Sequence, residues 1–257
     1  MKDINDCLII GDTSQLSKCL PLNCDRVSSR NFDSTLVGDY RKIFVCFAEQ
    51  RTFDNSLDFM KINYDYTLEL IDSIITKCDD VVFYSTAMLW ENLNNYCIED
   101  EFCYDDSNQY LVSKEKVTRE LRDWSKVLIH YPCNFNSTYR KPGYLFSKLV
   151  HACQGNEVST GNLDFNRELA HTSYVAKRSY ESSSSEIIAS GFLTNVRNYF
   201  HDVLSHFDVQ PEFIQETIGS HTNKPDSHYK FVDMNYSYEN LLQDTIEDIE
   251  GVLIRND

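Results

Sequence analysis

Tyr110-Leu111-Val112-Ser113-Lys114 opens a segment, Asn108 to about Trp124, that reads as a helix. Four residues of separation put the phenol and the ammonium on one helical face, one turn apart. A free tyrosine, with a pKa near ~10, is a poor base at neutral pH. A neighbouring cation favours phenolate and lowers that value. A phenol tuned in this way can exchange a proton with a substrate hydroxyl. The same spacing also occurs on solvated helix faces, so the flanking elements decide its meaning.

Working outward, short apolar runs alternate with helical segments. Cys7 to Ile10 reads as a strand, Gly11 as a tight turn and Ser14 to Leu20 as a helix. Arg26 to Ser29 and Ile43 to Phe47 read as the next strands. An amphipathic helix follows from Leu57 to Cys78, with Phe59, Ile62, Leu70, Ile71 and Ile74 on its apolar side. Val81 to Tyr84 is a strand ending at Ser85-Thr86. Ala87 to Ser107 is a long loop, Val127 to Tyr131 a strand, and Pro132 to Asn136 a loop. This alternation predicts an α/β fold with a doubly wound, Rossmann-type parallel sheet. Ligands on such sheets lie at the carboxyl ends of the strands, where Gly11, Ala48 and Thr86 all fall.

Past Phe135 the pattern loosens. Leu145 to Ala152, Tyr174 to Tyr180, Thr194 to Phe207 and an acidic Tyr238 to Val252 read as helices. Ser182 to Ser185 reads as a flexible serine run and Ile187 to Ala189 as a short strand. The expected organisation is a dinucleotide-binding domain over 1–135 and a smaller substrate-binding lobe over 136–257, partly interleaved with it.

The chain has 257 residues, 42% apolar and 25% charged, with a net charge of −16. That length can bury a sizeable core. The charge argues against a nucleic-acid or anionic-membrane partner. No apolar run approaches a membrane span. The first residues, Met1 to Asp6, lack the apolar stretch of a signal peptide. Nine cysteines without a CxxC pair read as reduced thiols of a cytoplasmic protein, with no zinc or other metal site. His130, His151, His201 and His206 read as surface or satisfied core histidines.

In this order the pieces resemble an extended short-chain dehydrogenase/reductase of the nucleotide-sugar epimerase/dehydratase kind. Gly11 to Leu20 is similar to that family's glycine-rich turn, and Phe47-Ala48-Glu49-Gln50 to its alanine-containing segment. Asn63 falls where the family has a supporting helix Asn. Tyr84-Ser85-Thr86 is similar to its catalytic Ser/Thr strand end, and Tyr131-Pro132-Cys133-Asn134 to its Arg-Pro-x-Asn segment. Gly161 to His171 resembles the substrate loop of GDP-mannose 4,6-dehydratases.

The resemblance implies NAD or NADP as cofactor and a nucleotide sugar as substrate. Tyr110 would be the acid/base, Lys114 its tuning cation and ribose ligand, and Thr86 the hydrogen-bond partner of the reacting oxygen. Gly11, Ser14, Gln15, Leu16, Ala48, Tyr110 and Lys114 would meet the cofactor. Arg30 is either a ligand of the 2′-phosphate or a surface arginine. Thr86, Asn134 and Arg167 would face the substrate. A homodimer through the helices around Leu57–Cys78 and Asn108–Trp124 is implied as well.

Departures bound the reading. Ser14 and Ser17 stand where the turn has glycines, and the chain has only eight glycines. Ala87, Met88 and Leu89 follow Thr86 where the 4,6-dehydratases carry an acid, and Glu91 lies beyond that register. Dehydration is disfavoured on this ground, leaving epimerisation or keto reduction. The serines also motivate an alternative: a catalytically silent relative that binds a dinucleotide, a sugar nucleotide or a protein partner.

Overall fold

The computed structural model describes residues 5–30, 32–51, 57–217 and 226–256. The reading of Met1 to Asp6 therefore falls mostly outside the described residues. In chain order the elements are β1 (Asn5–Ile10), α1 (Gln15–Cys19), β2 (Asp25–Val27) and β3 (Tyr40–Val45), then a π-helical stretch (Lys61–Tyr66) continuing into α2 (Thr67–Ile74). Next come β4 (Cys78–Tyr84), β5 (Asn95–Tyr96), α3 (Gln109–Leu121), β6 (Val127–Pro132), β7 (Asn134–Asn136) and α4 (Leu145–Cys153). They are followed by β8 (Val158–Gly161), β9 (Asn166–His171), α5 (Thr172–Glu181), β10 (Glu186–Ile188), β11 (Leu193–Asn195) and α6 (Val196–His206). The last elements are β12 (Ile214–Thr217), β13 (His228–Tyr229) and α7 (Tyr238–Asn256).

Six strands form one sheet in the order β2-β1-β3-β4-β6-β10, every pair parallel. Parallel strands are covered on both faces and so read as continuous apolar runs. Ile9, Ile10, Ile43, Phe44, Val81 and Val82 accordingly have no exposed surface. The chain leaves β1 in opposite lateral directions, to β2 on one side and β3 on the other. This makes the carboxyl end of β1 the switch point where such sheets take ligands. β10, from beyond residue 135, completes the sheet beside β6. A small sheet, β11-β9-β7, and two strand pairs, β12-β8 and β13-β5, lie outside it.

Several sequence readings change. Asn134–Asn136 is a strand paired with Leu169 to His171, not a loop. The serine run is anchored: Ser185 Oγ accepts from the Ile129 amide and the Ser184 carbonyl meets His130 Nε2. The long loop after Thr86 is held by Trp90, which is fully buried and stacks on Tyr96. Cys78 belongs to β4 and not to the preceding helix. Cys7 on β1 and Cys24 ahead of β2 form a disulfide, against the all-thiol reading. Their Cα atoms are 4.9 Å apart, because the short α1 connection folds the chain straight back alongside β1.

Candidate active site

Tyr110 is placed by the amino terminus of α3. Asn108 caps that helix, its side-chain oxygen accepting from the amides of Tyr110 and Leu111 at 3.2 and 3.4 Å. The Tyr110 ring is buried, and its hydroxyl comes within reach of the Thr86 side chain at the end of β4. Thr86 Oγ1 also accepts from the Met88 amide at 3.2 Å, which fixes the rotamer that faces the phenol. Burial pushes the Tyr110 pKa up to about 12, while a guanidinium, that of Arg140, and the Thr86 side chain oppose the rise.

Lys114 lies one turn along α3 from Tyr110. Its ammonium is buried, lies 4.5 Å from the Phe83 ring centroid and donates to the Tyr84 carbonyl at 2.5 Å. Burial alone pulls its pKa down to about 7. Lys114 is not among the groups that shift Tyr110.

Behind the pair, Asn63 ties three segments together. It accepts from the Glu49 amide at 2.8 Å and donates to the Glu49 carbonyl at 3.0 Å and to Ser113 Oγ at 3.1 Å. Ser113 in turn donates to the Tyr110 carbonyl. Asn63 therefore fixes the segment after β3 against α3, from a π-helical turn of the kind often found at functional sites.

At the switch point Gly11 has φ +102°, and a Cβ there would lie 3.0 Å from the Cys46 backbone. Only glycine fits. The next positions begin α1. Ser14 caps α1 by accepting from the Ser17 amide at 3.1 Å, and Ser17 Oγ donates back to the Ser14 carbonyl at 2.7 Å. The Gln15 side chain turns toward the other lobe, donating to the Phe135 carbonyl and accepting from Ser137 and Thr172, each at 3.3 Å. Leu16 is core. Neither side chain faces the crevice.

Ala48 is half-buried and Arg30 is exposed past β2. The Tyr66 ring packs against Phe47, centroids 5.4 Å apart, while its hydroxyl donates to the Ser29 carbonyl. Phe47 follows β3 and Ser29 follows β2, so this ring lies across the mouth of β1 between them. Among the described residues no strand continues the sheet beyond β2.

A cavity of about 110 Å³ is lined by Ala87, the residue after Thr86, and by Met88, Glu91, Asn134, Arg167 and Glu168. The Arg167 guanidinium stacks 4.8 Å from the Phe165 ring centroid and donates to the Asn166 carbonyl. Glu168 accepts from Tyr96, the Gly191 amide and the Tyr229 amide, a buried carboxylate pinning three segments. Glu91 reaches the same cavity as Arg167, although the sequence placed it out of register. A 3-10 turn over Ala87–Trp90 swings it back.

The sequence matches no known protein-family profile and no curated protein. Solved structures do match along nearly the whole chain. A UDP-N-acetylglucosamine 4-epimerase from Methanobrevibacter ruminantium, solved with UDP-N-acetylmuramic acid, superposes with a TM-score of 0.80 at 12% identity, covering 98% of this chain and 99% of that one. MoeE5, solved with UDP-glucuronic acid and NAD, gives 0.75 at 13% over 96% and 99%. A dTDP-glucose 4,6-dehydratase from Streptomyces venezuelae, a double mutant with NAD and DAU bound, gives 0.73 at 14% over 95% and 96%. The chain shares the fold of these structures.

Within that fold the sequence overlooked Arg140 and Arg26. Arg140, on the loop between β7 and α4, stacks 3.9 Å from the Tyr144 ring centroid and donates to Gln50 Oε1 at 3.3 Å. Arg26 closes the carboxyl end of α1, donating to the carbonyls of Leu20, Pro21 and Cys24 at 2.9 Å each. Tyr131, where the resemblance expects Arg, is a core ring against Trp90.

Proposed function

We propose that the protein is an NAD(P)-dependent epimerase or keto-reductase acting on a nucleotide-activated sugar. The observation that carries this is the buried Tyr110 phenol within reach of the Thr86 hydroxyl, with the residue after Thr86, Ala87, lining a cavity that holds Asn134 and Arg167. A phenol shielded from water and within reach of a second hydroxyl is arranged for proton exchange with a substrate hydroxyl. Nothing about core packing requires that pairing.

In this reading Tyr110 passes the proton and Thr86 orients the reacting oxygen. Lys114 meets the ribose of the cofactor, and Gly11 with the neighbouring amides meets its diphosphate. Arg167, a planar fork with an aromatic backing, suits a substrate phosphate. When bound, the nicotinamide supplies the hydride chemistry. Glu91 gives the cavity a carboxylate, so proton abstraction from sugar carbon has a candidate base despite Ala87 and Met88. The 1–135 and 136–257 division and a cytoplasmic location belong to the same proposal. Among the described residues no helix is long and apolar enough to cross a membrane.

A homodimer would pair the outer faces of α2 and α3. Those faces carry exposed Asp65, Glu69, Asp72, Lys116, Arg119 and Glu120, so the pairing would be polar.

One observation favours the silent alternative. Tyr66 crosses the mouth of β1, where the adenosine half of a dinucleotide would pass. Calorimetry with NAD, NADP and sugar nucleotides decides between the two. Heat from a sugar nucleotide with none from either dinucleotide would replace the enzyme with a binding protein.

A further inference from the structure

Arg140 is a permanent cation held in an unusual setting. Its guanidinium leans on Tyr144, spans to Gln50 beyond β3 and comes within electrostatic reach of Tyr110. It is half-buried, and its Nε is buried without a hydrogen-bond partner. In a chain of net charge −16, no carboxylate among the described residues pairs with it. Arg41, Arg51, Arg119, Arg178 and Arg197 all have acidic partners. A desolvated donor without a partner is costly, more so when charged. Such a group persists where a ligand satisfies it.

We infer that Arg140 is an oxyanion receptor at the reacting end of the site, taking a carboxylate or a diphosphate of the ligand beside the Tyr110 hydroxyl. The fork geometry of guanidinium accepts either group through paired N–H donors. The Tyr144 face keeps the fork in plane, and Gln50 sets its rotation. A carboxylate so placed would belong to the sugar ring itself, making the substrate an acidic sugar. A diphosphate so placed would belong to a nucleotide. This inference deepens the proposed function and rests on it for the identity of the ligand, though not for its test.

The test uses the whole chain and needs no turnover. Wild type, Arg140→Lys and Arg140→Gln are titrated by calorimetry with inorganic pyrophosphate, D-glucuronate and neutral D-glucose, after their melting temperatures are shown to agree. Loss of affinity of about 10-fold or more in Arg140→Gln, partly restored in Arg140→Lys, is the expected result for at least one anion. Loss confined to glucuronate identifies an acidic sugar. Loss confined to pyrophosphate identifies a nucleotide diphosphate. Equal behaviour of wild type and Arg140→Gln toward both anions, including no binding by either, overturns the inference. Absence of turnover with sugar nucleotides would strike the proposed function and leave this result standing.

Discussion

The Lys114 ammonium donates to the Tyr84 carbonyl at 2.5 Å, inside the protein and away from any acid that shifts it. Burial brings its pKa to about 7, well below its unfolded value of ~10.4. The unfolded chain therefore binds more protons than the folded one between those values, and stability rises with pH across that window. Lys114→Met removes a penalty on the order of 3–5 kcal/mol at pH 7 and orphans a carbonyl worth roughly 1–3 kcal/mol. The expected outcome is a net gain of about 1–3 kcal/mol in urea unfolding at neutral pH, shrinking toward pH 10. A loss of stability at pH 7 would show that Lys114 is held for packing.

Tyr110→Phe tests the acid/base role directly. The variant keeps the ring that packs edge-on against Phe59 and loses only the hydroxyl within reach of Thr86. Turnover should fall by ~10²–10⁴-fold, with sugar-nucleotide affinity within a few-fold of wild type. Because burial holds the phenol near 12, the wild-type pH profile should show no phenolate limb below pH 9 in the absence of cofactor. Spectroscopic titration near 295 nm, wild type minus variant, measures this.

Much of the site could be read from the chain because it depends on periodicity and strand ends. Thr86 and Asn134 follow apolar runs whose parallel pairing fixes where they emerge, and Tyr110 stands at the capped start of α3. Arg140 and Tyr66 escaped because their roles come from reaching across space: one spans from β7 to Gln50, the other from a helix to Ser29. No spacing in sequence encodes such a reach. The Cys7–Cys24 pair was hidden likewise, since it depends on α1 being only five residues long.

Arg26 is expected to matter for stability beyond an ordinary surface arginine. Arg26→Ala would leave the carbonyls of Leu20, Pro21 and Cys24 without their shared donor. Water can reach part of this site, so the expected destabilisation is about 1–3 kcal/mol, measured by urea unfolding. Arg26→Lys should recover only part of it, because one ammonium cannot reproduce the fork. Full recovery would reduce the role of Arg26 to charge.

His130 is fully buried on β6, its Nδ1 2.7 Å from Ser179 Oγ, which also bonds the Tyr84 hydroxyl at 2.6 Å. Burial depresses its pKa to about 4. The unfolded histidine titrates near ~6.5, so between pH 4 and 6.5 the unfolded state binds the extra proton. Stability should fall as pH drops through that window, by roughly 3 kcal/mol from this group, and level off above pH 7. His130→Asn should flatten that part of the wild-type curve. An imidazole that titrates at 6 or above by NMR would contradict the buried neutral ring.

Tyr66 decides whether the mouth of β1 is open to a dinucleotide. Its ring bridges Phe47 and Ser29 across the switch point, and the sheet has no described strand beyond β2 to offer a second wall. If the ring obstructs the adenosine path, shortening it should help binding. Tyr66→Ala is expected to raise NAD or NADP affinity by about 10-fold, and Tyr66→Phe, which frees the ring from Ser29, by a smaller factor. Both variants should leave the response to sugar nucleotides unchanged, since Tyr66 does not line the cavity of Arg167 and Asn134. The opposite result, weaker dinucleotide binding in both, would make Tyr66 a platform on which the adenine stacks. The phenol would then serve the cofactor directly, and the closed mouth would describe only the free protein.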